Sequence, residues 1–159
     1  MLRQARIAIT ILPLTVLAAC AGEEGAVEDR PVDMSNPVGL YEASLPEGGG
    51  GRACVTGDEA EGFRFALVTR GSEGAACGGA GEVSLSDGTM RFVMAGDEEC
   101  EVAAQVEGAD VVFAPDVPES CAYYCSPDAS LAAKRFTKTG DTLEDARKAR
   151  DLVGDPLCR

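Results

Sequence analysis

Seven cysteines restrict this chain more than any other feature. One, Cys20, ends an apolar N-terminal run. The other six, Cys54, Cys77, Cys100, Cys121, Cys125 and Cys158, are spread over the body of the chain. An even set in a small domain reads as a disulfide framework when the compartment is oxidising. A metal site is the rival reading. The chain has no His, the commonest nitrogen ligand for zinc. Its one close pair, Cys121-x-x-x-Cys125, lacks the CxxC spacing of zinc ribbons and of thioredoxin-type redox sites. No metal ligand is assigned, and three bridges are expected. Sequence alone does not choose their partners; the pairing 54–77, 100–121 and 125–158 is the expectation carried forward.

The N-terminus supplies the compartment. Arg3 and Arg6 make a short positive region, and residues 7–17 (IAITILPLTVL) form an uncharged apolar run. A spanning helix needs about 20 residues, so this run suits the h-region of a cleaved signal peptide. Leu17-Ala18-Ala19-Cys20 then resembles the lipobox of bacterial lipoprotein precursors, whose cysteine thiol takes a diacylglyceryl group before cleavage on its N-terminal side. An ordinary cleavage site beside an unrelated cysteine is the alternative; Cys20 decides for the lipobox. The resemblance implies a leader over residues 1–19 and a lipidated Cys20 at the start of the mature chain. Its diacylglycerol and N-acyl lipid would serve as an anchor, since acyl chains bury about 0.8 kcal/mol per CH₂ and more than one chain anchors stably. Asp after the lipidated cysteine commonly holds such proteins in the inner membrane. Ala21 stands there instead, which implies the outer membrane and a periplasm-facing domain.

Removing residues 1–19 takes away Arg3 and Arg6 and no acidic side chain, leaving 12 basic against 27 acidic groups and a net charge of −15. Such a surface disfavours nucleic acid and tolerates basic protein partners. Without His there is no proton shuttle of the usual physiological kind, so Ser-His-Asp and Cys-His schemes fall away. Carboxylate pairs remain formally available, but no spacing singles one out, and no catalytic residue is assigned.

Residues 20–36 carry the lipidated Cys and an acidic stretch poor in large apolar groups, read as a flexible tether. Residues 37–159 are read as one domain of 123 residues, an ordinary size for a single core. Its apolar pattern has mostly period two. Phe63, Phe65 and Leu67 alternate with Arg64, Ala66 and Val68. An Asp87-Gly88 turn of the I′-favouring kind pairs Leu85 with Met90 and Val83 with Phe92, placing four apolar side chains on one face. A Gly108-Ala109 turn pairs Val106 with Val111 and Ala104 with Phe113, but sets Glu107 opposite Asp110. Further strands are expected over residues 39–44 and 52–55, separated by the PEGGGG stretch at residues 46–51. The predicted fold is mainly β: a small antiparallel barrel or sandwich of six to seven strands, stapled by disulfides, with a short C-terminal helical tail. The tail follows from a Thr142-x-x-Asp145 cap, Leu143, Ala146, Ala149 and Leu152/Val153 at helical spacing, a Glu144–Lys148 pair, and Gly154 and Pro156 as stops. Residues 128–138 fit either a short helix or a last strand, and lean towards helix.

Few groups invite a ligand. Tyr123 and Tyr124, between Cys121 and Cys125, are candidates for contacting a protein or glycan partner. The alternative is that at least one packs inward, because only five Phe and three Tyr are available to the core. The acidic run at residues 96–101 does not match a calcium loop and reads as a solvated turn. The glycines at residues 48–51 and 78–81 match no phosphate-binding fingerprint and read as loop or bulge.

Four segments, GLYEAS, RACV at residues 52–55, ESCAYYCSPDASLA and the terminal DLVGDPLCR, resemble a group of uncharacterised bacterial envelope lipoproteins with a six-cysteine periplasmic domain. The resemblance covers most of residues 39–158 and carries no assigned activity; with no catalytic or ligand constellation in the residues, no enzyme and no cofactor are expected. The resemblance treats the six cysteines with Tyr123 and Tyr124 as one scaffold. The function expected is a non-enzymatic binding or structural module held on the membrane by its lipid. The sharper alternative is an inhibitor of a basic envelope-attacking enzyme such as lysozyme, because membrane-bound lysozyme inhibitors are also small disulfide-containing β-barrel lipoproteins. Their characteristic motifs are not found here, so that alternative rests on architecture and charge.

Overall fold

Period two runs further round the molecule than six or seven strands. The computed structural model describes residues 32–45 and 49–159; residues 1–19 expected as a leader, Cys20 and residues 21–31 of the expected tether lie outside them. Eight strands follow in order: β1 (Gly39–Ser44), β2 (Gly50–Asp58), β3 (Gly62–Arg70), β4 (Ala76–Ser86), β5 (Thr89–Met94), β6 (Asp97–Glu107), β7 (Asp110–Phe113) and β8 (Arg135–Gly140). Each pairs antiparallel with the next, and β8 returns to β1, so the sheet closes as an up-and-down barrel. Closure removes the open edges that a sandwich of this size would have to protect. The outer wall carries Arg64, Glu82, Arg91 and Glu101, all exposed or half-exposed, and therefore faces water rather than acyl chains.

Both hairpin registers hold. Leu85 lies opposite Met90 and Val83 opposite Phe92 across a turn in which Asp87 and Gly88 take φ of 50° and 73°. Val106 faces Val111 and Ala104 faces Phe113. The unfavourable Glu107–Asp110 pair is resolved from a third strand: Arg135 on β8 reaches Glu107 at 2.9 Å and Asp110 at 2.7 Å.

The eighth strand corrects the lean towards helix. Residues 135–140 are β8, and only its approach, residues 128–134, lies outside a strand. Phe136 and Lys138 point inward while Arg135 and Thr137 point out, an alternation masked in sequence because one inward residue is a lysine. The Ala-rich residues ahead of it carry the helical propensity.

Inside, Phe65, Phe92, Phe113 and Phe136 form a chain of rings with centroid separations of 5.1, 5.0 and 5.6 Å. Edge-on and tilted contacts of this kind are favoured by the ring quadrupole. A void of about 10 Å³ lies beside Phe92, Phe113 and Phe136, roughly the space for one water. The barrel is thus a packed core and not a ligand chamber.

The tail is shorter in helix than expected. One turn, α1 (Leu143–Ala146), forms under the predicted cap, with Thr142 Oγ1 accepting from the Asp145 amide at 3.1 Å. Lys148 pairs with Asp145 at 2.7 Å and not with Glu144. Beyond it Asp151 accepts the amides of Val153 and Asp155 at 2.9 and 2.8 Å, a local turn that replaces further helix. The small side chains of Ala146 and Ala149 let the tail lie against the outside of β2 and β3, where Cys54, Ala66 and Cys158 complete a second apolar cluster.

All six cysteines are paired. Cys100–Cys121 is as expected, whereas the others join Cys54 to Cys158 and Cys77 to Cys125. The correction follows from closure. The tail returns to the outer face of β2, and the long β7–β8 connection crosses the barrel end from which β4 starts, so partners near in space are 104 and 48 residues apart in sequence.

Candidate functional site

The β7–β8 connection, residues 114–134, closes one end of the barrel. Leu131 plugs it from above at 1% exposure. Within the connection Pro118 starts a short 3₁₀ turn, Glu119–Tyr124, in which the Cys121 amide donates to the Pro118 carbonyl at 3.0 Å and the Cys125 amide to that of Ala122 at 3.1 Å. Two disulfides pin this turn, Cys121 to Cys100 on β6 and Cys125 to Cys77 on β4. Ser126 adds a clasp to β4: its amide donates to the Ala76 carbonyl at 2.8 Å, and its hydroxyl accepts from the Ala76 amide at 2.9 Å.

The two tyrosines part company on this turn. Tyr124 is half-buried and packs against the core, lying above Gly79, where any Cβ would also strike the Met94 side chain. Burial raises its hydroxyl pKa, and the charges of Asp97 and Tyr123 add to the rise. Tyr123 is 88% exposed and stands edge-on to Tyr124, with ring centroids 5.5 Å apart. The candidate pair is therefore one support and one presented ring. No family model, curated protein or solved structure matches this chain. The site is read from its own geometry.

Around it the acidic run is a turn only at Gly96, and Asp97–Glu101 open β6 instead of forming the solvated turn expected from sequence. Asp97 accepts the amides of Glu99 and Cys100 at 3.2 and 3.3 Å, and Glu101 pairs with Arg91 at 2.6 Å. Among the described residues no group of three or more Asp, Glu or Cys side chains is placed to hold a metal ion. The glycines at residues 78–81 belong to β4 itself, where a side chain on Gly81 would collide with the Val93 carbonyl at an irregularity of the β5–β6 pairing.

At the opposite end Lys138 is 1% exposed, and its ammonium donates to the carbonyls of Asp33 and Asn36 at 2.7 and 2.6 Å. Tyr41 donates its hydroxyl to the Pro37 carbonyl at 2.6 Å, and the Lys138 ammonium lies 5.9 Å from its ring centroid. Burial lowers the Lys138 pKa, opposed in part by the charges of Asp141 and Asp33, and burial alone raises that of Tyr41. Residues 33–36, the last of the stretch read as a tether, are thus fastened to the barrel. This buried lysine has no sequence signature beyond its place in the RFTKT alternation. Nor does the sequence reveal that the C-terminal tail lies beside Arg52 and Arg70, which needed the Cys54–Cys158 bridge to be known.

Proposed function

We propose that this protein is a non-enzymatic binding module carried on the cell envelope by a lipidated Cys20, and that the Tyr123 turn is its partner contact. One observation carries the reading: a tyrosine 88% exposed on a turn fixed by two disulfides. A large aromatic left in water offers nothing to the fold, while a rigid aromatic anchor loses little entropy on binding. The net charge of −15 after leader removal, from 12 basic and 27 acidic groups, favours a basic partner and would speed its encounter. Ala21 after the lipidated Cys20 favours the outer membrane, with the domain towards the periplasm.

The test is a pull-down from envelope extract with the full lipidated chain and its Tyr123→Ala variant. A partner held by the native chain, released by salt and not retained by the variant is the expected result. Equal retention by both chains removes Tyr123 from the interface. The same acidity supports a second reading, inhibition of a basic enzyme such as lysozyme. Lysozyme that turns over at an unchanged rate with the protein present at low salt rules that reading out.

A further inference from the structure

Where the start of β2 and the end of β3 lie beside the C-terminal tail, a groove of about 450 Å³ opens on the outer wall. That volume is in the range of small-molecule sites, roughly 300–1,000 Å³. Three arginines line it, Arg52 on β2, Arg70 at the end of β3 and Arg150 in the tail, in a chain with 27 acidic and only 14 basic residues. Two acids also line it, and both are engaged. Asp151 is turned into its own loop, accepting the Val153 and Asp155 amides. Glu42 faces Arg52 at 3.6 Å. Arg70 makes no ion pair among the described residues, whereas Arg91 and Arg135 on the same barrel each hold a carboxylate at 2.6 and 2.7 Å.

The floor of the groove gives an independent sign. Gly49 is required by packing, since a Cβ would come within 2.5 Å of the Arg70 carbonyl oxygen, and Gly51 is tightly fitted, with a Cβ 3.1 Å from the Phe136 ring. Gly50, which lies across from Arg70 on β3, is different: a Cβ there meets only the Ala43 carbonyl oxygen at 3.4 Å. Glycine inside a strand sacrifices backbone entropy and side-chain packing, and it often marks close approach by a ligand. The walls are also preorganised. The Cys54–Cys158 bridge holds the tail to β2, and Arg150 Nη1 is tied to the carbonyls of Arg147 and Ala149 at 2.7 and 3.0 Å. Fixing a guanidinium before a ligand arrives reduces the entropy lost on binding.

We propose that this groove binds a small oxyanion, a phosphate or carboxylate group, between Arg52, Arg70 and Arg150 over the open floor at Gly50. Leu152, Val68 and Ala43 complete the lining and suit a short apolar substituent on that anion. The surrounding acidity selects for small ligands. A polyanion or an anionic bilayer would meet the surface carboxylates, while a single anionic group fits inside the groove.

Isothermal titration of the full chain with inorganic phosphate and, separately, with butyrate tests the proposal. Saturable binding of either anion is expected, and which one binds tells a phosphoryl from a carboxylate ligand. Arg70→Gln, at an exposed position, should weaken that binding ~10-fold or more, and Gly50→Val should abolish it by filling the floor. Circular dichroism melts of both variants report that the fold is kept. No saturable binding of either anion overturns the proposal, as does binding that Arg70→Gln leaves unchanged. Association stronger with phosphatidylglycerol than with phosphatidylcholine vesicles, which take up the lipid anchor equally, without binding of free anions also overturns it, in favour of an anionic membrane surface.

Discussion

The two ends of the barrel are closed by opposite means. At one end, two disulfides and a buried leucine fasten the β7–β8 connection. At the other, a buried ammonium and a tyrosine hydroxyl hold residues 33–37 through three hydrogen bonds. Covalent closure acts mainly by restricting the unfolded chain and fixes geometry whatever the pH. Closure by Lys138 depends on keeping a desolvated charge satisfied, so it responds to pH and to loss of a single donor. The stapled end presents an exposed aromatic ring; the hydrogen-bonded end fastens the chain's approach.

The largest expected effect lies at the stapled end. Replacing Cys77 and Cys125 together by Ser opens a 48-residue link and should lower stability by about 4 kcal/mol, measured as the shift in urea midpoint with the denaturant slope compared. If hydrogen exchange then rises at the Lys138 end as much as at the Tyr123 turn, the two closures are one cooperative unit and the contrast fails.

Next comes Lys138→Met, which keeps the bulk but leaves two carbonyls without their donor. A loss of about 2 kcal/mol is expected, with exchange protection lost first at Val38. The pH dependence has a definite sign. Because the folded pKa lies below the ordinary 10.5 of lysine, the unfolded state binds more protons between the two values. The Lys138 contribution to stability therefore rises as pH climbs through the lowered pKa towards 10.5, and it is lost again as pH falls back. The native chain minus the Met variant, followed by denaturation across that window, isolates this component; a flat difference would argue that Lys138 is not held as described.

Arg135→Ala should have a smaller effect near neutral pH, a slight lowering of the urea midpoint, because all three side chains are partly exposed and solvent screens the pairs. It removes the cation between Glu107 and Asp110. Hydrogen bonds from Thr137 and Arg135 hold the Asp110 pKa below its ordinary value. This contribution is present above the ordinary carboxylate range and disappears as pH falls through the lowered pKa. Equal penalties at neutral pH and in strong acid would exclude an electrostatic origin. Smallest of all is Tyr123→Ala, expected to shift the thermal midpoint by an amount equivalent to less than ~0.5 kcal/mol while removing partner retention. A clearly larger shift would place Tyr123 in the stapled end's own packing.

What could be read from sequence follows the same division. The two hairpins were legible because a two-residue turn fixes register and alternation then checks it: Val83, Leu85, Met90 and Phe92 agree on one face. β8 was obscured because Lys138, an inward residue, breaks the apolar alternation. Sequence did not choose the disulfide partners: of the three expected pairs only Cys100–Cys121, 21 residues apart, is formed, and the other pairs depend on ring closure, a property of all eight strands together. The Tyr123/Tyr124 turn could be located, but which ring faces water is set by the Gly79–Met94 packing beneath Tyr124. The arginine groove had no local signature, since its three cations come from two strands and the returning tail.

The fastening of residues 33–36 also determines how the molecule carries force. Tension applied to the chain ahead of Asp33 passes first through the two hydrogen bonds on the Lys138 ammonium. The Tyr41–Pro37 hydrogen bond is loaded next and the β1–β8 seam last. Those two bonds act as a weak link in series with a strong one. A pull would lengthen the lead by a few residues and leave the stapled end, with its presented tyrosine, in shape.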